Sequence, residues 1–238
     1  MKVDLIFTLE DLKNIEIHNK VVIALDVLRA TTTMITAFCN GASSIISVPE
    51  IEKAVELKKS DSRTLLCGER NGQKISGFDK GNSPQEYNDV QDMHLVFCST
   101  NGSKTIENSK DSKKTYLGAF INAAAVVDKL LSDHPEDEIL IACSGKLGRV
   151  CNEDTICAGY IIDLIRNLKD NTELDDASRI AWDFYRYNSN NIMEIMKNSE
   201  HGQHLISIGA EKDVELCSIK DIMNITPYFD KEDYKIKN

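Results

Sequence analysis

The regular alternation of β-rich runs with helical patterns is the feature that most restricts the fold of this chain. The predicted strands cover residues 21–25, 44–48, 64–67, 95–98, 115–117 and 138–143. Helical patterns cover residues 30–38, 50–59, 103–108, 122–131 and 152–168. Strand followed by helix, repeated along the chain, predicts a three-layer α/β/α fold with a mostly parallel or mixed central sheet.

The C-terminal third begins with a polar connector at residues 170–173. Residues 174–198 then show one or two helical patterns, interrupted near residues 187–191. We predict that this helical segment packs on the sheet through four apolar side chains, namely Ile180, Trp182, Phe184 and Tyr185; a helical lid over the site is the alternative. A length of 238 residues predicts a single domain over residues 1–238.

Charge and cysteine content exclude several classes of protein. A formal net charge of −10 argues against broad contact with nucleic acid or an anionic membrane, so an anionic ligand must meet a local positive site. The chain lacks the apolar stretch of a signal peptide or a membrane span, which predicts a cytoplasmic protein. Seven cysteines without a Cys-x-x-Cys pair indicate reduced thiols rather than disulfides or a zinc ribbon.

Polar motifs follow several predicted strands, where open α/β sheets bind their ligands. After strand 21–25 come Asp26, Arg29, Thr31 and Thr32, at the start of a helix. A carboxylate, a guanidinium and hydroxyls in this order suit a metal ion beside an anion. Helix capping by Asp26 and the threonines explains the same residues equally well.

Two further loops have the composition of anion-binding sites. The loop over residues 67–84 contains four glycines, which let backbone N–H groups approach an anion closely, and four polar side chains: Glu69, Arg70, Asn82 and Ser83. The loop after strand 95–98 offers a smaller oxyanion cradle formed by Thr100, Asn101 and Gly102. An Asn-Gly turn is common, so the second of these loops is the weaker signal.

The fourth loop follows strand 138–143. Cys143 and Arg149 have the Cys-x5-Arg spacing of cysteine phosphatases, with Gly145 between them. Ala142 stands where that signature has histidine, which favours an anion-binding loop over a nucleophilic cysteine. Leu28 stands where a haloacid-dehalogenase type of phosphatase needs its second aspartate. The histidines of the segment 201–204 could coordinate a metal, but a pair of histidines in a turn is more often structural, and we predict that role for them.

Taken together, these loops resemble the 2-phosphosulfolactate phosphatase family, magnesium-dependent phosphatases of coenzyme M biosynthesis. The specific parts are Asp26-Val27-Leu28-Arg29-Ala30-Thr31 and residues 77–84, and the resemblance extends through Glu153-Asp154 and more weakly to residues 199–202 and Gly209. Ser99 and Ser103 stand where threonines are common. Ser144 and Lys146 stand where an Ala-Gly-Thr sequence is common. This difference bears on the identity of the natural substrate more than on the type of reaction.

The resemblance implies hydrolysis of 2-phospho-3-sulfolactate to 3-sulfolactate and phosphate. Asp26, Glu69 and Asp154 would bind Mg²⁺ directly or through water, because Mg²⁺ prefers oxygen ligands. The predicted substrate-binding residues, which would bind phosphate, carboxylate and sulfonate, are Arg29, Thr31, Thr32, Arg70, Asn82, Ser83, Thr100, Asn101, Gly102, Gly145 and Arg149. The implied partner is therefore a small polyanionic phosphorylated substrate.

Three alternatives stay open at this point. The nucleophile is water or Cys143, and the substrate is 2-phosphosulfolactate or another small phosphorylated hydroxy acid. The third alternative is a non-catalytic module that binds a phosphorylated metabolite. In such a module the carboxylates would repel the anionic ligand unless a cation lay between them. A homodimer is a reasonable expectation because two-fold dimers are the commonest closed assembly.

Overall fold

The computed structural model describes residues 1–58 and 63–238 of the chain. Its strands, in chain order, are β1 (Lys2–Ile6), β2 (Lys20–Leu25), β3 (Ser44–Ser47), β4 (Thr64–Arg70), β5 (Gln73–Lys74), β6 (His94–Cys98), β7 (Lys114–Gly118), β8 (Glu138–Cys143), β9 (Glu173–Leu174), β10 (Tyr228–Asp230) and β11 (Lys235–Lys237).

The helices, in chain order, are α1 (Leu9–Leu12), α2 (Ala30–Cys39), α3 (Ile51–Lys58), α4 (Gly102–Asn108), α5 (Ala123–Asp133), α6 (Asn152–Leu168), α7 (Asp176–Asn188), α8 (Ile192–Asn198), α9 (Glu200–Ser207) and α10 (Glu211–Cys217). Residue 59, the last of one predicted helix, lies outside the described residues. Within the described ranges, no helix is long and apolar enough to cross a membrane.

The strands of the described chain form one mixed sheet of 11 strands, in the order β5-β4-β6-β3-β11-β10-β7-β2-β8-β1-β9. Strands β4, β6 and β3 pair in parallel, as do β7, β2, β8 and β1. The antiparallel hairpin of β10 and β11 lies between these two groups. Because three antiparallel pairings, β3 with β11, β11 with β10 and β10 with β7, separate the two parallel groups, these groups run in opposite directions through the sheet.

Helices cover both faces of the sheet. Alternate residues of a strand point to opposite sides, so one strand can place apolar side chains on both faces. Val21, Ile23 and Leu25 of β2 pack into a large apolar cluster with α5, α6 and α7. Ala24 packs into a second cluster on the other face, with α2 and the hairpin. The predicted three-layer α/β/α fold with a mixed sheet is therefore confirmed.

The predicted strands and helices of residues 21–168 are confirmed, with shifts of a few residues at their ends. Strand β1, the two-residue strands β5 and β9 and the C-terminal hairpin were not predicted from the sequence. Residues 228–237 contain three lysines and three acidic residues, so charge hid the apolar pair Phe229 and Ile236 that enters the core. The C-terminal segment is therefore helical only as far as α10.

Residues 174–198 form α7 and α8, and α7 packs along α6 and beside β1. Trp182, Phe184 and Tyr185 contact the large apolar cluster as predicted. Ile180 is 59% exposed, so its predicted packing role is wrong. None of these residues lines the main cavity described below, and this arrangement favours a packing layer over a lid.

Candidate active site

A cavity of ≈ 320 Å³ opens at the carboxyl ends of the parallel strands. All four loops predicted from the sequence contribute to it, together with α9. The lining residues are Asp26, Leu28, Arg29, Glu69, Asn71, Gly72, Asn82, Thr100, Asn101, Lys146, Leu147, His201 and His204. The structure therefore brings residues of all four loops to one cavity.

Asp26 follows β2 and lies at the buried end of the cavity. Its Oδ1 accepts the N–H of Ala30 at 3.3 Å. Burial raises the pKa of Asp26 to about 6; the nearby positive ring of His201 opposes this rise, whereas the charge of Glu69 adds to it. Without a cation nearby, ionisation of this carboxyl is therefore costly.

Glu69 stands near the end of β4, where its carboxylate joins two loops. Its Oε1 accepts the N–H and the hydroxyl of Thr100 at 2.8 and 2.9 Å, and its Oε2 accepts the N–H of Gly72 at 2.8 Å. A Cβ on Gly102 would lie 2.8 Å from Oδ2 of Asp26, so only glycine permits this close approach of α4. Glu69 and Asp26 are thus held in the same cavity by neighbouring loops.

Arg29 supplies a buried guanidinium to the cavity wall. Its Nη1 donates to Oδ2 of Asp213 at 2.6 Å, and its Nη2 donates to the carbonyl oxygen of Gly72 at 2.6 Å. Asp213, which belongs to α10, also accepts the Ser83 hydroxyl and the Gln85 amide. Asp213 was not predicted, because nothing in the sequence of α10 shows that it pairs with a loop far away along the chain.

The oxygen donors at this site fit Mg²⁺ when the ion keeps part of its water shell. Across residues 1–58 and 63–238, no three His, Cys, Asp or Glu side chains form a ready-made metal cluster. Mg²⁺ commonly uses one or two carboxylates and retains several waters, which suits the pair of Asp26 and Glu69. The chemistry of these two side chains is therefore compatible with the ion.

Asp154, the third predicted ligand, does not line the cavity. Its two oxygens accept the N–H groups of Val27 at 2.9 Å and Gly145 at 3.2 Å, so the carboxylate connects the first and fourth loops. Burial, followed by the charges of Asp26 and Glu153, raises the pKa of Asp154 well above its ordinary range. Its role as a metal ligand stays a prediction.

Several predicted substrate-binding residues instead stabilise the loops. The Thr31 hydroxyl accepts the N–H of Asp26, and the Thr32 hydroxyl donates to the carbonyl of Val27. The Arg70 guanidinium donates to the carbonyls of Glu69 and Pro49. None of the three lines the cavity, so this geometry does not support a direct contact with substrate.

The remaining predicted residues divide between the cavity and its surroundings. Asn82 lines the cavity, and its buried Oδ1 has no hydrogen-bond partner among the described residues. Ser83 bonds to Asp213 in a neighbouring groove. Gly145 bonds to Asp154, and the Arg149 side chain is 75% exposed beside Glu200, so neither reaches the main cavity.

Cys143 is fully buried at the end of β8, within the large apolar cluster. Burial, followed by the charge of Asp154, raises the pKa of the Cys143 thiol well above its ordinary value. A nucleophilic cysteine needs a stabilised thiolate with access to substrate. This environment favours the anion-binding interpretation of the fourth loop over attack by Cys143.

Two histidines of α9 line the cavity, although the sequence analysis interpreted them as structural. Nδ1 of His201 lies 3.1 Å from Oε1 of Glu153, and Nε2 of His204 lies 3.1 Å from the carbonyl oxygen of Asn71. The weak resemblance over residues 199–202 was the available signal. Lys146, one of the departures from the family pattern, also faces the cavity.

Comparison with known proteins agrees with this geometry. The family model described as 2-phosphosulpholactate phosphatase matches residues 6–232. A protein of Clostridium tetani is 38% identical over 96% of this chain and 97% of its own length, and one of Carboxydothermus hydrogenoformans is 41% identical over 95% and 92%. A Thermotoga petrophila protein is 42% identical over 86% and 87%. Each is named a probable 2-phosphosulfolactate phosphatase. Since the match covers nearly the whole chain, this protein belongs to the 2-phosphosulpholactate phosphatase family.

Proposed function

We propose that this chain hydrolyses 2-phospho-3-sulfolactate to 3-sulfolactate and phosphate in a Mg²⁺-dependent reaction. The observation that carries the proposal is the shared cavity, in which two carboxylates, Asp26 and Glu69, lie with the cationic side chains of Arg29 and Lys146. The relatives' names supply the substrate. Phosphate, carboxylate and sulfonate are three anionic groups that such a mixed site has to separate and bind.

The cationic residues bind and orient the anionic groups of the substrate. Asp213 and the carbonyl of Gly72 hold the Arg29 guanidinium in one direction, so little side-chain entropy is lost on binding. Lys146, on the fourth loop, also lines the cavity. Its ammonium is a flexible point charge that does not make a bidentate contact, and this suits the distal sulfonate.

The two carboxylates give the site a place for a divalent cation. When bound, Mg²⁺ would neutralise charge on the phosphoryl oxygens and lower the pKa of a coordinated water. Asp26 and Glu69 would hold the ion, directly or through water, and one of the two accepts the proton of the attacking water. The water oxygen forms the new bond to phosphorus while the ester P–O bond breaks.

The test is phosphate release from 2-phospho-3-sulfolactate, measured with Mg²⁺ and with a chelator. We expect release that requires the metal, and loss of at least about 100-fold in Glu69→Gln. Release from 2-phospholactate at a higher kcat/KM would reassign the substrate to another phosphorylated hydroxy acid. Tight binding without turnover would instead identify a binding module.

The rival mechanism, attack by Cys143, has its own test. We expect Cys143→Ser to keep kcat within about threefold of the wild type, because the buried thiol does not reach the cavity. Cys157→Ser, another buried cysteine of the same cluster, is the matched control for destabilisation of the core. Abolished activity in Cys143→Ser alone, together with wild-type activity in chelator, would support a phosphocysteine intermediate.

Three finer statements stay predictions: the place of the reaction in coenzyme M biosynthesis, the cytoplasmic location and the homodimer.

A further inference from the structure

His201 has a fixed position in the cavity wall. It lies in the first turn of α9, whose N-terminus is capped by the Ser199 hydroxyl accepting the N–H of Gly202 at 2.9 Å. A Cβ on Gly202 would lie 1.8 Å from the carbonyl oxygen of Met196, so α9 packs directly on the end of α8. This packing positions the backbone that carries His201.

A buried carboxylate orients the ring. The Glu153 side chain is 1% exposed, and its Oε1 lies 3.1 Å from Nδ1 of His201. At this distance the carboxylate of Glu153 accepts the hydrogen of Nδ1, so the other ring nitrogen, Nε2, is the one available to the cavity.

The proposed reaction needs a proton donor that Asp26, Glu69 and Arg29 do not supply. The leaving group is the alkoxide of a 2-hydroxy acid, which departs poorly unless its oxygen is protonated. Asp26 and Glu69 are engaged as carboxylates, and a guanidinium such as Arg29 does not release its proton. Imidazole is the side chain whose ordinary pKa lies nearest to neutral pH.

Resting on the proposed function, we infer that His201 is the general acid of the reaction and Glu153 its positioning residue. The Nε2–H of the imidazolium gives its proton to the ester oxygen as the P–O bond breaks, so the product leaves as an alcohol. The neutral ring then regains a proton from solvent, which balances the proton released by the attacking water. The negative Glu153 stabilises the imidazolium that the step requires.

Leaving-group dependence tests this role. In His201→Asn, we expect kcat on the alkyl ester 2-phospho-3-sulfolactate to fall about 100-fold, with KM within about threefold. On p-nitrophenyl phosphate, whose phenolate leaves without a proton, kcat should fall less than about threefold. If the wild type does not cleave p-nitrophenyl phosphate, phosphoenolpyruvate is used instead. Its enolate leaves more readily than the alkoxide of a 2-hydroxy acid, and the molecule keeps the carboxylate of the proposed substrate. Equal losses on both leaving groups, or no loss on either, would overturn the inference.

Two further variants separate positioning from general damage. Glu153→Gln should lower kcat on the alkyl ester about 10-fold while KM and the melting temperature stay near the wild-type values. His204→Asn, which changes the other histidine of the cavity, should alter both substrates by one common factor. A selective loss on alkyl esters in His204→Asn would assign the proton to that residue instead.

The outcome is independent of the exact substrate. If the wild type leaves 2-phospho-3-sulfolactate intact but cleaves another alkyl phosphate, the substrate proposal fails, and the same comparison of alkyl with aryl esters still tests His201. If His201→Asn does not fold, His201→Gln is measured in its place.

Discussion

At the residue scale, buried carboxylates dominate the chemistry of this protein. After burial, the charges of Asp26 and Glu153 raise the pKa of Asp154, and the charge of Glu69 adds to the raised pKa of Asp26. A folded protein keeps such groups together only if protonation, hydrogen bonds or a cation offset the repulsion. The clustering of these carboxylates in and beside the cavity is therefore better explained by ligand chemistry than by stability.

The raised pKa of Asp26 predicts how the metal-free protein responds to pH. Folded Asp26 binds its proton more tightly than unfolded Asp26, so its contribution to stability is fully present below pH 4 and is lost as pH rises through about 6. Asp26→Asn lacks this loss. We compare the free energy of unfolding of Asp26→Asn with that of the wild type in chelator. The difference should shift in favour of the variant by about 2 kcal/mol between pH 4 and pH 7.5.

Urea unfolding at the two pH values measures this difference. Asp128→Asn, which changes an exposed carboxylate, is the control and should show no such dependence. Adding Mg²⁺ at pH 7.5 should stabilise the wild type more than Asp26→Asn. A difference between variant and wild type that stays constant with pH would contradict the prediction.

Prediction from sequence at the residue scale was uneven. Arg29 and Arg70 both follow strands and both looked like anion ligands, yet only Arg29 lines the cavity. The direction of each side chain depends on the partner it meets, Asp213 for Arg29 and the carbonyl of Pro49 for Arg70. Those partners come from distant parts of the chain, so local sequence cannot distinguish the two arginines.

At the scale of elements, the contact between α6 and α7 shows that residues 174–198 form a structural layer. A Cβ on Gly159 would lie 2.1 Å from the carbonyl oxygen of Ala181, so the two helix backbones are in close contact. Gly159→Ala should lower the free energy of unfolding by about 1–3 kcal/mol through overpacking. Because α7 does not line the cavity, kcat and KM should remain unchanged in the variant.

Thermal unfolding and steady-state kinetics of the same preparation measure both effects. Asn167→Ala, at an exposed position of α6, is the control for helix propensity. A change in KM with unaltered stability would contradict the prediction and favour a lid role for residues 174–198.

At the scale of the whole molecule, the C-terminal hairpin joins the two parallel halves of the sheet. Ile236 of β11 pairs with Ile45 of β3 and is fully buried, whereas β10 pairs with β7. If the chain is one domain, a cavity at Ile236 must weaken both halves. Ile236→Ala should cost about 2–4 kcal/mol of stability.

Trp182, the one tryptophan of the sequence, reports on this coupling because α7 packs on the opposite half of the sheet. Its fluorescence and the far-UV circular dichroism should shift to the same lower urea midpoint in Ile236→Ala. Glu232→Ala, in the exposed turn of the hairpin, should leave the midpoint in place. A Trp182 transition that keeps its wild-type midpoint would indicate two independently folding units.

The sequence by itself determined the α/β class, the central strands and the four loops that meet at the cavity. Local patterning is sufficient for this, because hydrophobic periodicity defines the elements and the polar motifs directly follow the strands, where α/β sheets bind their ligands. Tertiary structure alone decided which side chains of those loops face the cavity. It also brought in His201, Glu153 and Asp213, since burial and pairing across distant segments depend on packing that no local pattern encodes.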